Sequence, residues 1–233
     1  GMISLEIAAV APSRLKSLAL MNTHAGGRGA IPPFVGLQTV FTQFCNPTDL
    51  SAGDRVSFGD VVFADDAARK ELNKKAVESW GKLRSIPRNG DVGLSLPQVA
   101  ESAGPRPSRV PFSTFAVQGV ATLVHYLSLS RLHMIRDTHV PTTIMVSTDD
   151  HLVRPSNSFA IFDALKAPWV RLHIFVHCGH AINWEAADDV NRILLDHLES
   201  TQAAQKSTFQ WPEPSLQTVV ASTVRKLKPP SKL

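Results

Sequence analysis

Two polar clusters in this chain have the residue types for acid–base chemistry. One is Ser147-Thr148-Asp149-Asp150-His151 and the other is His177-Cys178-Gly179-His180. Each directly follows an apolar run. A histidine in such a place serves as a general base when a carboxylate holds one ring nitrogen, because the carboxylate fixes the tautomer and stabilises the imidazolium formed on proton transfer. Asp150 and His180 are the residues placed for those roles, Asp150 as the orienting acid and His180 as the base. Each alone has a plainer reading: His180 as a loop histidine satisfied by local hydrogen bonds, Asp150 as a carboxylate favoured by a helix N-terminus. Asp149 reads as a solvated turn residue. Cys178 has no base arranged to make it a thiolate. His173, His177 and His180, with Asp149 and His151, lack any HExxH or CxxC framework, so no metal is implied. His24 and the glycine-rich stretch after it read as a strand exit that turns.

The elements that position Asp150 and His180 are legible on either side of them. "PTTIMVST" (141–148) is a continuous apolar run, the kind of strand a parallel sheet buries on both faces. Pro155 opens a helix through "RPSNSFAIFDALKA", with Phe159, Phe162 and Leu165 inward. "VRLHIFV" (170–176) is a second strand, alternating at Val170, Leu172, Ile174 and Val176. "EAADDVNRILLDHLES" is an amphipathic helix with Val190, Ile193, Leu194 and Leu198 inward and Asp188 and Asp189 near its positive end. This alternation predicts a parallel sheet with right-handed crossovers. Polar residues at the carboxyl ends of neighbouring parallel strands share one edge, which sets Asp150 near His180.

Upstream, "MISLEIAAVAP" predicts a helix that stops at Pro12, with Ile3, Ile7 and Val10 on one face. "LKSLALMNT" (15–23) predicts a buried strand. "VQGVATLVHYLSLSRL" predicts one helix with Val117, Val120, Val124 and Leu127 aligned. The stretch between is rich in glycine and proline, and its clear helical segment is "AARKELNKKAVESWGKL", with Leu72, Ala76, Trp80 and Leu83 on one face. The expected organisation is a core helix and strand at 1–24, a mainly helical and irregular cap inserted at 25–116, a core with the acid and histidine loops at 117–200, and a flexible basic tail at 201–233. Phe34, Phe41, Phe44 and Trp80 are candidate pocket residues of the cap, although such aromatics are more often plain core.

With 233 residues, 43% hydrophobic and 19% charged, the composition is globular and supports one sizeable core. The net charge is +4, with the excess concentrated in Arg225, Lys226, Lys228 and Lys232. No basic stripe argues for nucleic acid. Cys45 and Cys178 are too few for a disulfide framework, which fits reduced thiols inside a cell. No apolar run reaches the roughly 18 residues of a transmembrane helix, and the first residues lack the regions of a signal peptide. Ser231-Lys232-Leu233 matches the peroxisomal import address. It predicts a peroxisome or a related organelle such as a glycosome, otherwise the cytoplasm, and an import receptor as partner.

Asp150-His151-Leu152-Val153-Arg154-Pro155 resembles the acid turn of the α/β-hydrolase superfamily, in which the acid precedes an x-x-V-x-P segment. "VHCGHAINWEAADDVNRILLDHL" resembles that family's catalytic-histidine loop and final helix, with His180 as the matching histidine. "GMISLEIAAVAPSRLKSLALMNT" is similar to the segment after the nucleophile elbow, where G-x-S-x-G-G-M leads into a helix and a strand, and Gly1 matches the glycine just after the pentapeptide. The resemblance covers about residues 1–24 and 117–199. It implies an α/β fold with a parallel sheet, flanking helices and an inserted cap. It also implies the chain order Ser…Asp…His and hydrolysis of a small-molecule ester, thioester or amide by Asp150, His180 and a serine, with no metal or organic cofactor.

No G-x-S-x-G occurs within the sequence; "GLSLP" (93–97) lacks the second glycine. The alignment implies that the nucleophile lies three residues ahead of Gly1, together with the earlier strands and both oxyanion donors. The expectation is the C-terminal part of an α/β-hydrolase fold, inactive alone, with a long apolar strand edge left open. Two alternatives stay open: an epoxide hydrolase or dehalogenase relative with an aspartate nucleophile, and a non-catalytic truncated peroxisomal protein.

Overall fold

Continuous β-branched and aliphatic runs make the strands, and their burial follows from what covers each face. In the computed structural model, which describes residues 1–34, 112–204 and 215–220, four parallel strands form one sheet in the order β1-β2-β3-β4. These are β1 (Leu18–Met21), β2 (Thr142–Ser147), β3 (Val170–Val176) and β4 (Ser215–Val220). Met21 lies beside Met145, Ser147 beside Phe175, and His173 beside Gln217. The helices are α1 (Met2–Val10), α2 (Phe112–Val124), α3 (Leu129–Arg136), α4 (Pro155–Leu165), α5 (Ile182–Glu185) and α6 (Ala187–Ala204).

One face of the sheet packs on α1, α3 and α4 through Leu5, Ala8, Leu20, Leu132, Ile144, Ile161, Leu165 and Leu172. The other packs on α5 and α6 through Met145, Phe175, Ile182, Val190 and Ile193. Every residue of β2 is buried, as expected of a central strand covered on both sides. Each aliphatic side chain moved fully out of water contributes about 1.5–3 kcal/mol before entropy is counted.

Several expected faces are corrected. α1 has the expected span, but it buries Leu5 and Ala8, while Ile3, Ile7 and Val10 are 75%, 44% and 74% exposed. The helix is apolar nearly all round, so spacing alone leaves its rotation open. Glu6 settles it by a forked ion pair with Arg131 of α3, at 3.1 and 2.6 Å. The single helix expected after residue 117 is two. Val117, Val120 and Val124 of α2 are exposed, and Leu127 is buried in a break after it. Ser128 then starts α3 by accepting the Arg131 N–H. The break is held by Leu127 N–H on the Ala25 carbonyl and Gly27 N–H on the His125 carbonyl.

β1 is shorter than expected. In β3, Val170 and Leu172 are buried as expected, but Ile174 and Val176 are partly exposed, while His173 and Phe175 are also buried because α6 covers that side. On α6, His197 takes the inward place expected of Leu198, which is half exposed. The region expected to be a flexible tail from 201 onward begins within α6 and contributes β4, which pairs with β3. Its Ser-Leu-Gln-Thr-Val-Val run is short and carries no covered-face pattern of its own, so the neighbouring strand decides it. Residues 35–111, with Phe41, Phe44, Trp80 and the expected cap helix, lie outside the described residues, as do Ser231, Lys232 and Leu233. Phe34 is exposed.

Candidate active site

Asp150 is positioned by its own turn. Beyond β2, Thr148 N–H still donates to the Phe175 carbonyl at 3.0 Å, and the chain then leaves the sheet. Oδ1 of Asp150 accepts the backbone N–H groups of Leu152 and Val153, each at 2.8 Å. This side-chain turn ends where Pro155 opens α4, and it holds the carboxylate with one oxygen used locally. The other oxygen, Oδ2, lies 2.8 Å from His180 Nδ1. Three donors thus satisfy a carboxylate whose side chain is only 1% exposed.

His180 is positioned by a loop tied down at several points. His177 turns the chain out of β3 with a left-handed φ of 59°. Its N–H donates to Thr148 Oγ1 at 2.9 Å, and Asp149 N–H donates to the Cys178 carbonyl at 3.0 Å. Gly179 N–H donates to the buried Glu185 carboxylate at 2.8 Å. Asn22, just past β1, donates to the His180 carbonyl at 2.8 Å. The imidazole is 31% exposed, so the pair runs from a buried carboxylate to an accessible ring. An ionised carboxylate accepts only, so the contact calls for a proton on Nδ1, and in a neutral ring with that tautomer the lone pair is on Nε2.

The other candidate groups are arranged differently. Asp149 faces His177 at 3.6 Å with both partly exposed, in keeping with a solvated turn. Burial pushes the Cys178 thiol up to about 12, far from a reactive thiolate. His173 and His197 are buried beneath α6, and burial, then the nearby Arg171 charge, lowers both to about 4. Strand alternation predicts the same direction for His173 and His177, but the turn at His177 leaves its side chain more than half exposed. His24 is buried, accepts the Gly26 N–H at Nδ1 (3.0 Å), and is lowered by burial and by His125. Gly26 has a φ of 93°, and a Cβ there would overlap the His125 carbonyl, so the strand exit requires glycine. Among the described residues, no group of three or more His, Cys, Asp or Glu is arranged to hold a metal ion. No described helix is long and apolar enough to cross a membrane.

Asn22, Thr148 and Glu185 were not among the residues expected from the sequence. Glu185 stands in the histidine-loop resemblance without a role there. Asn22 has one faint signal, a polar residue ending an apolar strand.

The profile of the alpha/beta hydrolase fold family matches residues 1–187. The chain belongs to this family. A curated relative of this α/β-hydrolase chain, the 2-hydroxy-6-oxo-6-phenylhexa-2,4-dienoate hydrolase of Comamonas testosteroni, is 27% identical over 206 residues, covering 85% of this chain and 59% of the relative. Among solved structures, an alpha/beta hydrolase enzyme from a Medee basin deep-sea metagenome library matches with a TM-score of 0.57 at 15% identity, over 90% of this chain and 63% of that one. A meta-cleavage product hydrolase from Pseudomonas fluorescens matches with a TM-score of 0.54 at 14% identity, over 84% of this chain and 60% of that one. These likenesses concern the fold. The chain spans about six tenths of the length of the proteins it matches.

Proposed function

We propose that Asp150 and His180 are the acid and base of a nucleophile–histidine–acid triad in a serine hydrolase of small carboxylic esters, thioesters or amides. The observation that carries this reading is the 2.8 Å contact between His180 Nδ1 and Asp150 Oδ2. It presents Nε2 as the nitrogen that takes the serine proton and later gives it to the leaving group. In this reading the serine is not one of these 233 residues, which contain no G-x-S-x-G. Support for its place comes from Gly1. A Cβ on Gly1 would overlap the Thr23 side chain, so the start of α1 lies against the exit of β1, next to the Asn22 that holds His180.

Treatment of the chain with a serine-reactive phosphonate is expected to leave it unlabelled; a stoichiometric adduct overturns the claim that the nucleophile lies elsewhere. A protein joining these residues to a G-x-S-x-G segment is expected to hydrolyse aryl esters and to lose on the order of 10⁴-fold in rate with His180→Ala. Retained rate sinks the base assignment. The compound named for the Comamonas testosteroni relative, 2-hydroxy-6-oxo-6-phenylhexa-2,4-dienoate, is the second substrate to assay. We further propose Ser231-Lys232-Leu233 as a peroxisomal address read by an import receptor. A fluorescent protein carrying residues 225–233 at its end is expected in peroxisomes, and a diffuse signal refutes it.

A further inference from the structure

We propose that Asn22 is the positioning residue that sets His180 against Asp150, an inference resting on the acid–base reading of that pair. Asn22 follows β1, and its N–H continues the sheet by donating to the Met145 carbonyl at 3.0 Å. The backbone then turns left-handed, with a φ of 41°, a conformation asparagine adopts more readily than most residues with a Cβ. That turn swings the carboxamide across the carboxyl end of β2.

There the buried amide uses both ends. Oδ1 accepts the Ser147 N–H at 2.9 Å. Nδ2 donates to Ser147 Oγ at 2.6 Å, to the His180 carbonyl at 2.8 Å and, more weakly, to the Gly179 carbonyl at 3.3 Å. The orientation is forced by chemistry. A backbone N–H only donates and a carbonyl only accepts, so Oδ1 must face Ser147 and Nδ2 must face the histidine loop. One side chain therefore joins the end of β1, the end of β2 and the backbone of His180 itself.

The acid reaches the same anchor by the covalent chain, because Asp150 lies just beyond Ser147 on the turn that leaves β2. Ser147 is thus the common origin of both partners. Asp150 is tied to it through the backbone, and His180 through Asn22. With the carboxamide removed, the contacts to Thr148, Asp149 and Glu185 still hold residues 177–179, but the His180 carbonyl loses the donor described for it. Asn22 does not touch Nε2 or a reacting atom, so its effect on chemistry runs through the imidazole.

The test is the His180 Nδ1 proton, followed by nuclear magnetic resonance on the whole chain with the imidazoles labelled with nitrogen-15. In the parent protein this proton is expected as a resolved downfield resonance. Asp150→Asn reports on the reading beneath the proposal: a resonance unchanged by it refutes the pair itself, whatever Asn22 does. Asn22→Gly keeps the left-handed turn and deletes the amide. It is expected to raise the proton's exchange with water about tenfold, the equivalent of one lost hydrogen bond, and to shift the resonance upfield. Asn22→Asp keeps an acceptor for the Ser147 N–H but sets a carboxylate against two carbonyl oxygens, and is expected to act in the same direction. Ser147→Ala, which keeps the N–H link, is expected to have a smaller effect. A purely structural role would lower the melting temperature of Asn22→Gly while leaving the resonance position and exchange unchanged. That result overturns the proposal. If Asn22→Gly does not fold, Ser147→Ala and Asn22→Asp carry the same test, and an unmoved resonance in both is equally fatal.

Discussion

The carboxyl edge of the sheet and the interface beneath α6 both hold histidine, and they treat it in opposite ways. At the edge, His180 meets a carboxylate at 2.8 Å and keeps about a third of its surface in solvent. Beneath α6, His173 Nδ1 and His197 Nε2 have no hydrogen-bond partner among the described residues, and burial holds both rings neutral. The first environment gives the ring a charged partner and access to solvent. The second penalises the charged form, so protonation works against the fold. Neighbours, not residue type, divide the two jobs.

The largest expected effect breaks the edge. In an intact hydrolase carrying these residues, Asp150→Asn is expected to cost on the order of 10⁴-fold in kcat. His173→Leu is expected to leave kcat near the parent value. Steady-state ester hydrolysis measures both, and a comparable loss from the two variants would erase the contrast.

Acid should break the other region first. The unfolded histidines titrate near 6.5 and the folded ones near 4, so below about 6.5 the unfolded chain binds more protons. Stability present at neutral pH is therefore lost as pH falls, until the folded rings also protonate. At pH 5 each ring is expected to withdraw roughly 2 kcal/mol. Around His173, Arg171, Arg192 and His197 add to the lowering and Asp196 opposes it. Urea midpoints at pH 7 and pH 5 check it. The double replacement of His173 and His197 by leucine is expected to flatten the dependence, and an unaltered slope would locate the acid lability elsewhere.

Removing the buried carboxylate that receives Gly179 N–H is the next step down. Glu185→Ala is expected to destabilise by about 1–3 kcal/mol, and Glu185→Gln, which keeps an acceptor, by less. The smallest effect sharpens the comparison on α6 itself. Leu198→Ala, at a half-exposed position, is expected to change stability by less than about 0.5 kcal/mol, read as a small melting-temperature shift. A core-sized loss would restore Leu198 to the inward face.

The strands around the site were legible because a parallel sheet covered on both sides demands unbroken apolar runs, and 141–148 and 170–176 supply them. The acid and histidine were legible because each stands at the carboxyl end of such a run. Helix rotation was harder to read. α1 is apolar nearly all round, and the direction it faces depends on Glu6 meeting Arg131, a contact far apart in sequence. His197 displaced Leu198 from the interior for a similar reason: a histidine in the stripe looks polar until its burial is seen. The contacts of Asn22 were unreadable because its partners Ser147, Gly179 and His180 are remote in the chain and converge only once the three strand ends are side by side.

The central claim is that Asp150 holds one nitrogen of His180 and leaves the other as a base. The nitrogen-15 shifts of the His180 ring at neutral pH test it most directly. The account predicts a protonated Nδ1 and an unprotonated Nε2, with that tautomer lost in Asp150→Asn. An Nε2–H tautomer in the parent protein, or shifts indifferent to Asp150, would contradict it.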